Sequence, residues 1–533
     1  TGNANTATGV SALNSNTTGS TNTANGYHAL YNNTTGTSNS ATGTYALYSN
    51  TTGAENVASG TSSLYSNNIG NNNVALGYFA LNANTTGSYN TAVGNRVLIT
   101  NTTGSYNTGL GNFALYTNTT GYGNTALGEW ALNLNTTGYE NTATGRYALN
   151  SNTSGAHNTA NGTQSLNTNT TGEENTGIGY RALFYNTTGN FNTATGSSSL
   201  HNNSTGTQNT ATGCSALFAN TTGLGNTATG FNALNVNTTG NYNTANGFQS
   251  LSLNETGLFN TAVGNNSLRN NTLGSNNTAL GSGALNFNST GGLNTATGVN
   301  ALGANSSGFF NTATGYEALL ANTSGNSNSA FGNYALNINT GSLNTAMGRS
   351  TLELNTTGNG NTALGYQALN LLTTGSNNIG IGNAAQVPTA TASNQIRMGN
   401  TAITYAGLQV AWSITSDKRW KSDIKNSGLG LDFIKSLNPV SYVRDNDVMK
   451  KTEYGFIAQE LETALNKVGA ANNGMITKDD AGMYSVRYND LFAPMVKAIQ
   501  EQQMQIDEQK KLIDEQQKKI DKLINLLEAL GKK

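Results

Sequence analysis

The sequence has few charged residues, almost no proline and one cysteine. Charged residues make up 10% of the 533 residues, which include 3 Pro and 1 Cys, and the formal net charge is -1. A net charge so close to zero gives no electrostatic basis for binding nucleic acid or an anionic membrane. The lone Cys214 excludes an internal disulfide framework. No run of 18 apolar residues occurs, so no membrane-spanning helix is expected.

The charges are concentrated near one end of the chain. No Asp or Lys precedes Asp417, and only scattered Glu and Arg occur in the first 400 residues. This change in composition marks a domain boundary near residue 410. The chain opens with TGNANTATG, without Met, so we expect a fragment or processed product whose export signal or anchor lies outside this sequence. We expect no cofactor and no metal site.

The first part of the chain is a repeat with a period of 17 residues and the consensus N-T-T-G-x-x-N-T-A-x-G-x-x-A-L-x-x. It runs through 22 units from Asn16 to a degenerate unit at Leu372, and the unit at Asn339 has 16 residues. Four positions hardly vary: Asn at the seventh, Ala at the ninth, Gly at the eleventh and Leu at the fifteenth. In the unit that begins at Asn84 they are Asn90, Ala92, Gly94 and Leu98.

This repeat is too short for a helical hairpin and suits one coil of a β-solenoid or β-roll. We predict two short strands per coil, NTAxG and xALxx, separated by turns at Asn and Gly. Stacked coils would align the Leu side chains in an apolar ladder, and the Asn side chains would hydrogen-bond along the axis. One Leu and one Ala per coil is a thin core for a single chain. This favours a homotrimeric fibre with a shaft of roughly 100 Å, at about 4.8 Å per coil.

Aromatic side chains recur at the twelfth and thirteenth positions, which should face outward. One interpretation is that the rings fill grooves between coils or chains, and the other is a stripe that binds a carbohydrate or another surface with avidity. The residues are Tyr27, Tyr45, Tyr78, Phe79, Phe113, Trp130, Tyr147, Tyr180, Phe248, Tyr316, Tyr334 and Tyr366.

The sequence after the repeat is of a different kind. It contains SDKRWK at 416–421, LNPVSY at 438–443, GFIAQE at 455–460 and VRYNDLFAPMVKAIQE at 486–501. In this order and spacing the motifs resemble the intramolecular chaperone domain at the end of phage tail spikes and fibres, the peptidase S74 family. The resemblance covers about residues 412–533. The 17-residue units are similar to repeats of tail-fibre-like bacterial surface proteins.

The resemblance implies a domain that trimerises, templates the folding and register of the β-fibre before it, and then cuts itself off between Thr415 and Ser416. It implies Ser416 as the nucleophile and Lys421 as the general base. A serine hydroxyl needs a neighbour that takes its proton, and a lysine can do so only when it is neutral. Burial favours the neutral form, and folding and trimer assembly would supply that burial. Asp417 and Arg419 either orient this loop or form an exposed ion pair.

The C-terminal tail independently predicts a coiled coil, because apolar residues recur at the a and d positions of a heptad. The predicted trimer core consists of Phe492, Met495, Ile499, Ile506, Ile513, Ile520, Leu523, Leu527 and Leu530. Gln502, Gln509 and Gln516 occupy the d positions in the middle of the tail. The pattern alone does not distinguish two strands from three; the family resemblance favours three.

Together these patterns predict a mostly β, elongated homotrimeric fibre, followed by a small α+β chaperone domain and a trimeric coiled coil. The predicted domains are a shaft (1–382), its β-rich end (383–415), the chaperone domain (416–490) and the coiled coil (491–533). We expect an extracellular adhesin or tail fibre, on a bacterial surface or a virion, that contacts a surface glycan or another receptor.

Two alternatives remain open. One is a polysaccharide-degrading tailspike, which would need a carboxylate pair at a set separation. Glu173 and Glu174 are adjacent, but on a strand they would point to opposite faces. The other is a purely structural spacer whose binding tip is missing from this chain.

Overall fold

The structure is a computed structural model that describes residues 2–410 and 412–531. The predicted coiled coil extends to Lys532 and Lys533, which lie outside the described residues. The chain forms two compact units, Thr1–Thr373 and Thr374–Lys533. The finer division into four domains stays a prediction.

The first unit is a β-solenoid in which each coil contributes one three-residue strand. Within residues 2–373, each of strands β1 to β21 pairs in parallel with the strand that follows it, as Thr91 of β6 pairs with Thr108 of β7. The 16-residue unit keeps this register, since Ser329 pairs with Thr345. The repeat continues to β23 in the second unit and makes about 23 turns. The strands β1 to β22 are Thr6–Thr8, Thr23–Asn25, Ser40–Thr42, Val57–Ser59, Val74–Leu76, Thr91–Val93, Thr108–Leu110, Thr125–Leu127, Thr142–Thr144, Thr159–Asn161, Thr176–Ile178, Thr193–Thr195, Thr210–Thr212, Thr227–Thr229, Thr244–Asn246, Thr261–Val263, Thr278–Leu280, Thr295–Thr297, Thr312–Thr314, Ser329–Phe331, Thr345–Met347 and Thr362–Leu364.

The core of the solenoid is closed within one chain. Ala92, Val97 and Leu98 of a typical coil are each 0% exposed, and so is Asn90. Burial of a Leu side chain stabilises by about 1.5–3 kcal/mol, and the solenoid repeats this at every turn. The expectation that the core is too thin for a single chain is therefore wrong. The small Ala and Asn side chains let the coil close tightly around its Leu, so the shaft by itself supplies no reason for a trimer.

The predicted Asn ladder is present and pairs buried polar groups from coil to coil. The Asn90 side-chain amide donates to Asn73 Oδ1 at 3.1 Å and to the Gly104 carbonyl at 2.9 Å. Its Oδ1 accepts from the Asn107 backbone N–H at 3.0 Å. A second ladder runs through the first position of each unit, as from Asn101 to Asn84 at 2.8 Å. These bonds satisfy amides that would otherwise be buried at a high cost.

The second predicted strand, xALxx, is wrong: this segment is a turn in every complete coil. The reason is the backbone of the buried Leu, which is left-handed, with φ of 52° at Leu98. A left-handed non-glycine residue costs about 1–2 kcal/mol, which burial of the Leu side chain offsets. Arg96 is also left-handed, with φ of 56°, so the chain curls around the Leu side chain instead of running straight.

The two glycines of each unit are required for different reasons. Gly94 has φ of 131°, a conformation that L side chains rarely adopt. Gly87 has no positive φ, but a Cβ there would overlap the Gly104 carbonyl and the Asn84 side chain. Only the first of these roles was expected from the sequence.

The second unit is a small α+β region followed by a long helix. Strands β25 and β26 pair antiparallel, as do β27 and β28. The buried core of this region consists of Phe433, Leu461, Ala464, Leu465, Met475 and Leu491. The elements in chain order are β23 (Ile379–Ile381), β24 (Ile396–Met398), a 3-10 helix (Lys418–Trp420), α1 (Leu431–Ser436), β25 (Val440–Val443), β26 (Thr452–Gly455), α2 (Ala458–Lys467), β27 (Ile476–Lys478), β28 (Tyr484–Val486), a second 3-10 helix (Tyr488–Leu491) and α3 (Phe492–Leu530).

Candidate functional site

The segment 416–421 forms a tight turn around a short 3-10 helix. The Asp417 side chain caps the helix by accepting a hydrogen bond from the Arg419 backbone N–H at 2.8 Å. The Lys421 backbone N–H donates to the Lys418 carbonyl at 3.1 Å and ends the helix. An Asp at an N-cap satisfies a backbone donor that would otherwise lack a partner. The turn therefore reverses the chain within a few residues.

This reversal brings the two predicted catalytic residues together. Lys421 Nζ lies 2.6 Å from Ser416 Oγ and donates a hydrogen bond to it. A nucleophile and its base need this kind of contact, about 2.6–3.2 Å between heavy atoms. The scissile bond predicted from the family resemblance, between Thr415 and Ser416, adjoins this pair in the chain.

Asp417 and Arg419 form an ion pair as well as the helix cap. Arg419 donates to both carboxylate oxygens of Asp417, and the shortest of these distances is 2.7 Å. This guanidinium, together with the Arg419 backbone N–H, holds the pKa of Asp417 below its ordinary value. In turn, the Asp417 carboxylate raises the pKa of Arg419. The two roles considered for this pair are thus combined, because the same carboxylate shapes the turn that carries Lys421.

The Ser–Lys pair is exposed in the single chain. Large apolar side chains near the pair in the sequence are exposed too: Trp412 by 68%, Ile414 by 71%, Trp420 by 84% and Ile424 by 61%. A lysine acts as a base when burial disfavours its charged form. The described part of the chain supplies the contact between Ser416 and Lys421 but leaves both side chains open to solvent.

The comparison with protein families identifies this region. Residues 416–470 match the model of Peptidase_S74, the chaperone of endosialidase. This segment is a Peptidase_S74 domain. The match begins at Ser416, the serine of the pair, and contains Lys421, α1, β25, β26 and α2. No curated protein and no solved structure matches the chain significantly. A solenoid followed by a Peptidase_S74 domain makes this a fibre-like protein with an intramolecular chaperone.

Helix α3 follows the Peptidase_S74 domain and carries the predicted heptads on an exposed face. The helix has 39 residues, which at 1.5 Å per residue gives a length of about 58 Å. Its first turns pack against α1, and every residue from Gln502 to Gly531 is exposed. The predicted core residues are exposed by 46–67%. They are Phe492, Met495, Ile499, Ile506, Ile513, Ile520, Leu523, Leu527 and Leu530. Such a stripe on a helix is typical of a coiled-coil seam.

One contact within the second unit was not found from the sequence. The carboxylate of Glu501, on α3, accepts the Leu431 backbone N–H at the start of α1 at 2.7 Å. This bond, with the Lys497 side chain as a second partner, lowers the pKa of Glu501. A Cβ on Gly430 would overlap the same carboxylate. The two groups are 70 residues apart, and no local motif signals the pairing.

The aromatic residues of the shaft contact one another both face to face and edge to face, and the rings of Tyr316 and Tyr334 are an edge-to-face pair at 5.4 Å. The rings of Phe113 and Trp130 lie 4.5 Å apart and nearly parallel, and those of Tyr89 and Tyr106 lie 5.1 Å apart. The coil spacing of about 4.8 Å places equivalent rings at stacking distance. This geometry supports the interpretation that the rings fill the grooves between coils.

The described residues give little basis for a glycosidase site or a metal site. Glu173 and Glu174 lie in the turn before β11, not on a strand as expected from the sequence. Among residues 2–410 and 412–531, no cluster of His, Cys, Asp and Glu could hold a metal ion. In the same residues, no helix is both long and apolar enough to cross a membrane.

Proposed function

We propose that this protein is a homotrimeric extracellular fibre whose Peptidase_S74 domain templates the assembly and then cuts the chain between Thr415 and Ser416. The observation that carries the cleavage proposal is the 2.6 Å contact between Lys421 Nζ and Ser416 Oγ at the start of the matched domain. The exposed seam of α3 supports the trimer. The fibre-like architecture supports a location on a bacterial surface or a virion tail.

The proposed reaction needs no group beyond the chain and water. Neutral Lys421 accepts the proton of Ser416 Oγ, and the oxygen attacks the carbonyl carbon of Thr415. The C–N bond then breaks, and the proton passes to the departing nitrogen of Ser416. This leaves the Thr415 acyl group as an ester on Ser416 Oγ, which water hydrolyses to a carboxylate and a free hydroxyl. Each chain makes the cut once, because the products no longer contain the scissile bond.

Trimer assembly would make Lys421 competent for this step. Trp412, Ile414 and Trp420 lie close to the pair in the sequence and are exposed, and burial of this segment against another chain would remove water from the lysine. Burial favours the neutral amine. Cleavage would then follow assembly and would occur only in chains that have folded together.

The test is to express the chain beside Ser416→Ala and Lys421→Ala variants and measure the mass of the products. The wild type should yield the 118-residue fragment 416–533 as a separate mass under denaturing conditions, and both variants should remain whole. Ser422→Ala and Lys418→Ala, in the same segment, are the matched controls and should still be cut. A wild type that stays intact while its trimer forms contradicts the protease assignment but not the chaperone.

The shaft would serve as the adhesin, with a surface glycan or another receptor as its partner. Its outward side chains are mostly uncharged, and equivalent outward positions recur at every coil, so even weak contacts would add up by avidity. Binding of the cleaved shaft to a glycan array tests this role. The spacer is the second candidate function, and the ring pairs that do stack, such as Phe113 and Trp130, favour it, because stacked faces are not available to a sugar. A shaft that binds no glycan supports the spacer.

A further inference from the structure

Two loops of the C-terminal region contact the chain upstream of the proposed scissile bond. The first is the turn between β27 and β28. There, the Asp480 backbone N–H donates to the Pro388 carbonyl at 2.8 Å, and Asp480 Oδ2 accepts the Ala390 backbone N–H at 3.0 Å. Residues 383–415, the predicted β-rich end of the shaft, are called the connector below. Asp480 thus donates one hydrogen bond to a short stretch of the connector and accepts another from it.

The second loop joins β25 to β26. The Asn446 side-chain amide donates to the Thr401 carbonyl. Its neighbour Asp447 holds the loop by accepting the Met449 and Lys451 backbone N–H groups, both at 2.9 Å. The loop that carries Asn446 is therefore shaped by its own hydrogen bonds.

The turn that carries Asp480 is also defined locally. Asp479 Oδ1 accepts the Met483 backbone N–H at 2.7 Å, and Gly482 has φ of 82°, which a glycine adopts without strain. On the connector side, the ring of Pro388 restricts the backbone next to the acceptor carbonyl. Local contacts thus shape the Asp480 turn, and the proline ring stiffens its partner, which lowers the entropy cost of the contact.

We propose that Asp480 and Asn446 form a clamp on the connector that keeps the C-terminal domain bound after the chain is cut. The proposal rests on the proposed cleavage between Thr415 and Ser416. Pro388, Ala390 and Thr401 would lie on one side of that cut, and the clamp residues on the other. Hydrolysis of the bond leaves each of these hydrogen bonds in place.

The clamp also suggests how release is controlled. Exposed hydrogen bonds are individually weak, because each replaces a bond to water. In the proposed trimer three clamps act together, and linked contacts gain avidity as long as the chains stay associated. The domain would remain on the connector while the coiled coil is intact and leave when the chains of the coiled coil separate.

The first experiment measures the clamp without any cleavage. In the Ser416→Ala full chain, amide hydrogen exchange of the peptide that contains Ala390 is compared with and without Asp480→Ala. We expect exchange at Ala390 to rise by about tenfold, the effect of losing one hydrogen bond. Asp480→Asn keeps an acceptor oxygen and should preserve protection, and Asp445→Ala is the control in the neighbouring loop. Unchanged exchange in Asp480→Ala overturns the clamp.

The second experiment follows the cut protein by native size-exclusion chromatography. A site-specific protease sequence inserted between Thr415 and Ser416 makes the cut in the Ser416→Ala background, so the result does not depend on self-cleavage. Fragment 416–533 should co-elute with the shaft, whereas Asp480→Ala combined with Asn446→Ala should raise its dissociation rate by about tenfold or more. A fragment that separates at once without these substitutions, or that stays bound with them, overturns the proposal.

Discussion

The ladder Leu residues of the shaft and the heptad residues of α3 differ in their burial. Leu98 of the shaft is 0% exposed within one chain, whereas Ile513 of α3 is 61% exposed. Apolar surface left in water is unfavourable by about 25 cal/mol per Å². If the chain trimerises as proposed, the apolar surface to be buried thus lies on α3 and not in the ladder of the repeats.

The same contrast bears on why a repeat protein would need a chaperone. All the coils of the shaft carry nearly the same ladder residues, so a strand that pairs with the wrong coil loses few local contacts. In the structure the strands of the shaft pair with the next strand of the same chain. Such mispairing would therefore occur between coils of one chain. If folding begins at one end and the coils are added in order, each new strand pairs with the strand next to it in the chain, and such errors are suppressed.

The largest effect on assembly is expected from a substitution in the heptad stripe of α3, which is exposed in the single chain. Ile513→Asp places a charge in the proposed seam of α3 and should abolish the trimer, because an unpaired buried charge is strongly unfavourable. Sedimentation equilibrium should then report monomers. Lys518→Asp, on the outer face of the same helix, is the control and should leave the mass unchanged. A wild type that sediments as a monomer would itself contradict the trimer.

Within the shaft, the largest effect should come from the core Leu. Leu98→Ala leaves a cavity in a closed coil and should cost about 2–5 kcal/mol. Hydrogen exchange should show local opening of the coils around residue 98 without loss of oligomer mass. Val93→Thr, at a half-buried outward position of the adjacent strand, should change the exchange far less. A similar response to both substitutions would mean that the single-chain core is not what stabilises the coil.

A smaller effect is expected from the Asn ladder. Asn90→Ala removes the acceptor of the Asn107 backbone N–H, and one buried unsatisfied donor costs about 1–3 kcal/mol. Faster exchange of the Asn107 amide is the direct readout. Asn95→Ala, at an exposed position of the same coil, should leave that amide protected.

The smallest effect should be a pH dependence in the second unit. The pKa of Glu501 is lowered in the folded protein, so its contribution to stability is present above its unfolded pKa and is lost as the pH falls through its folded pKa. The protection of the α1 amides, measured against the intrinsic exchange rate at each pH, should therefore fall in acid, below the ordinary carboxyl range. Glu501→Gln should remove this dependence, while Glu508→Gln, on the exposed part of α3, should retain it. If Glu501→Gln shows the same loss of protection in acid, another titratable group causes the pH dependence.

Much of the shaft and part of the site could be predicted from the sequence. The 17-residue period predicts the stacking, and the near-invariant Asn90, Ala92 and Leu98 proved to be the buried positions. The turn at Leu98 was missed, because a left-handed Leu is disfavoured locally and is stabilised only by burial between coils. The aromatic positions were recognised, but their mutual stacking depends on the spacing of neighbouring coils.

At the C-terminal end, the sequence by itself determined the motif of Ser416 and Lys421 and the heptads of α3, since both depend on residues close together in the chain. Only the tertiary structure decided which distant groups meet. Glu501 caps α1, and Asp480 reaches Pro388 and Ala390. Such contacts link segments that are far apart in the chain, and a single hydrogen bond leaves no pattern in the local sequence. The closed core of the shaft also became evident only from the tertiary structure, because the fit of each Leu depends on the coils above and below it.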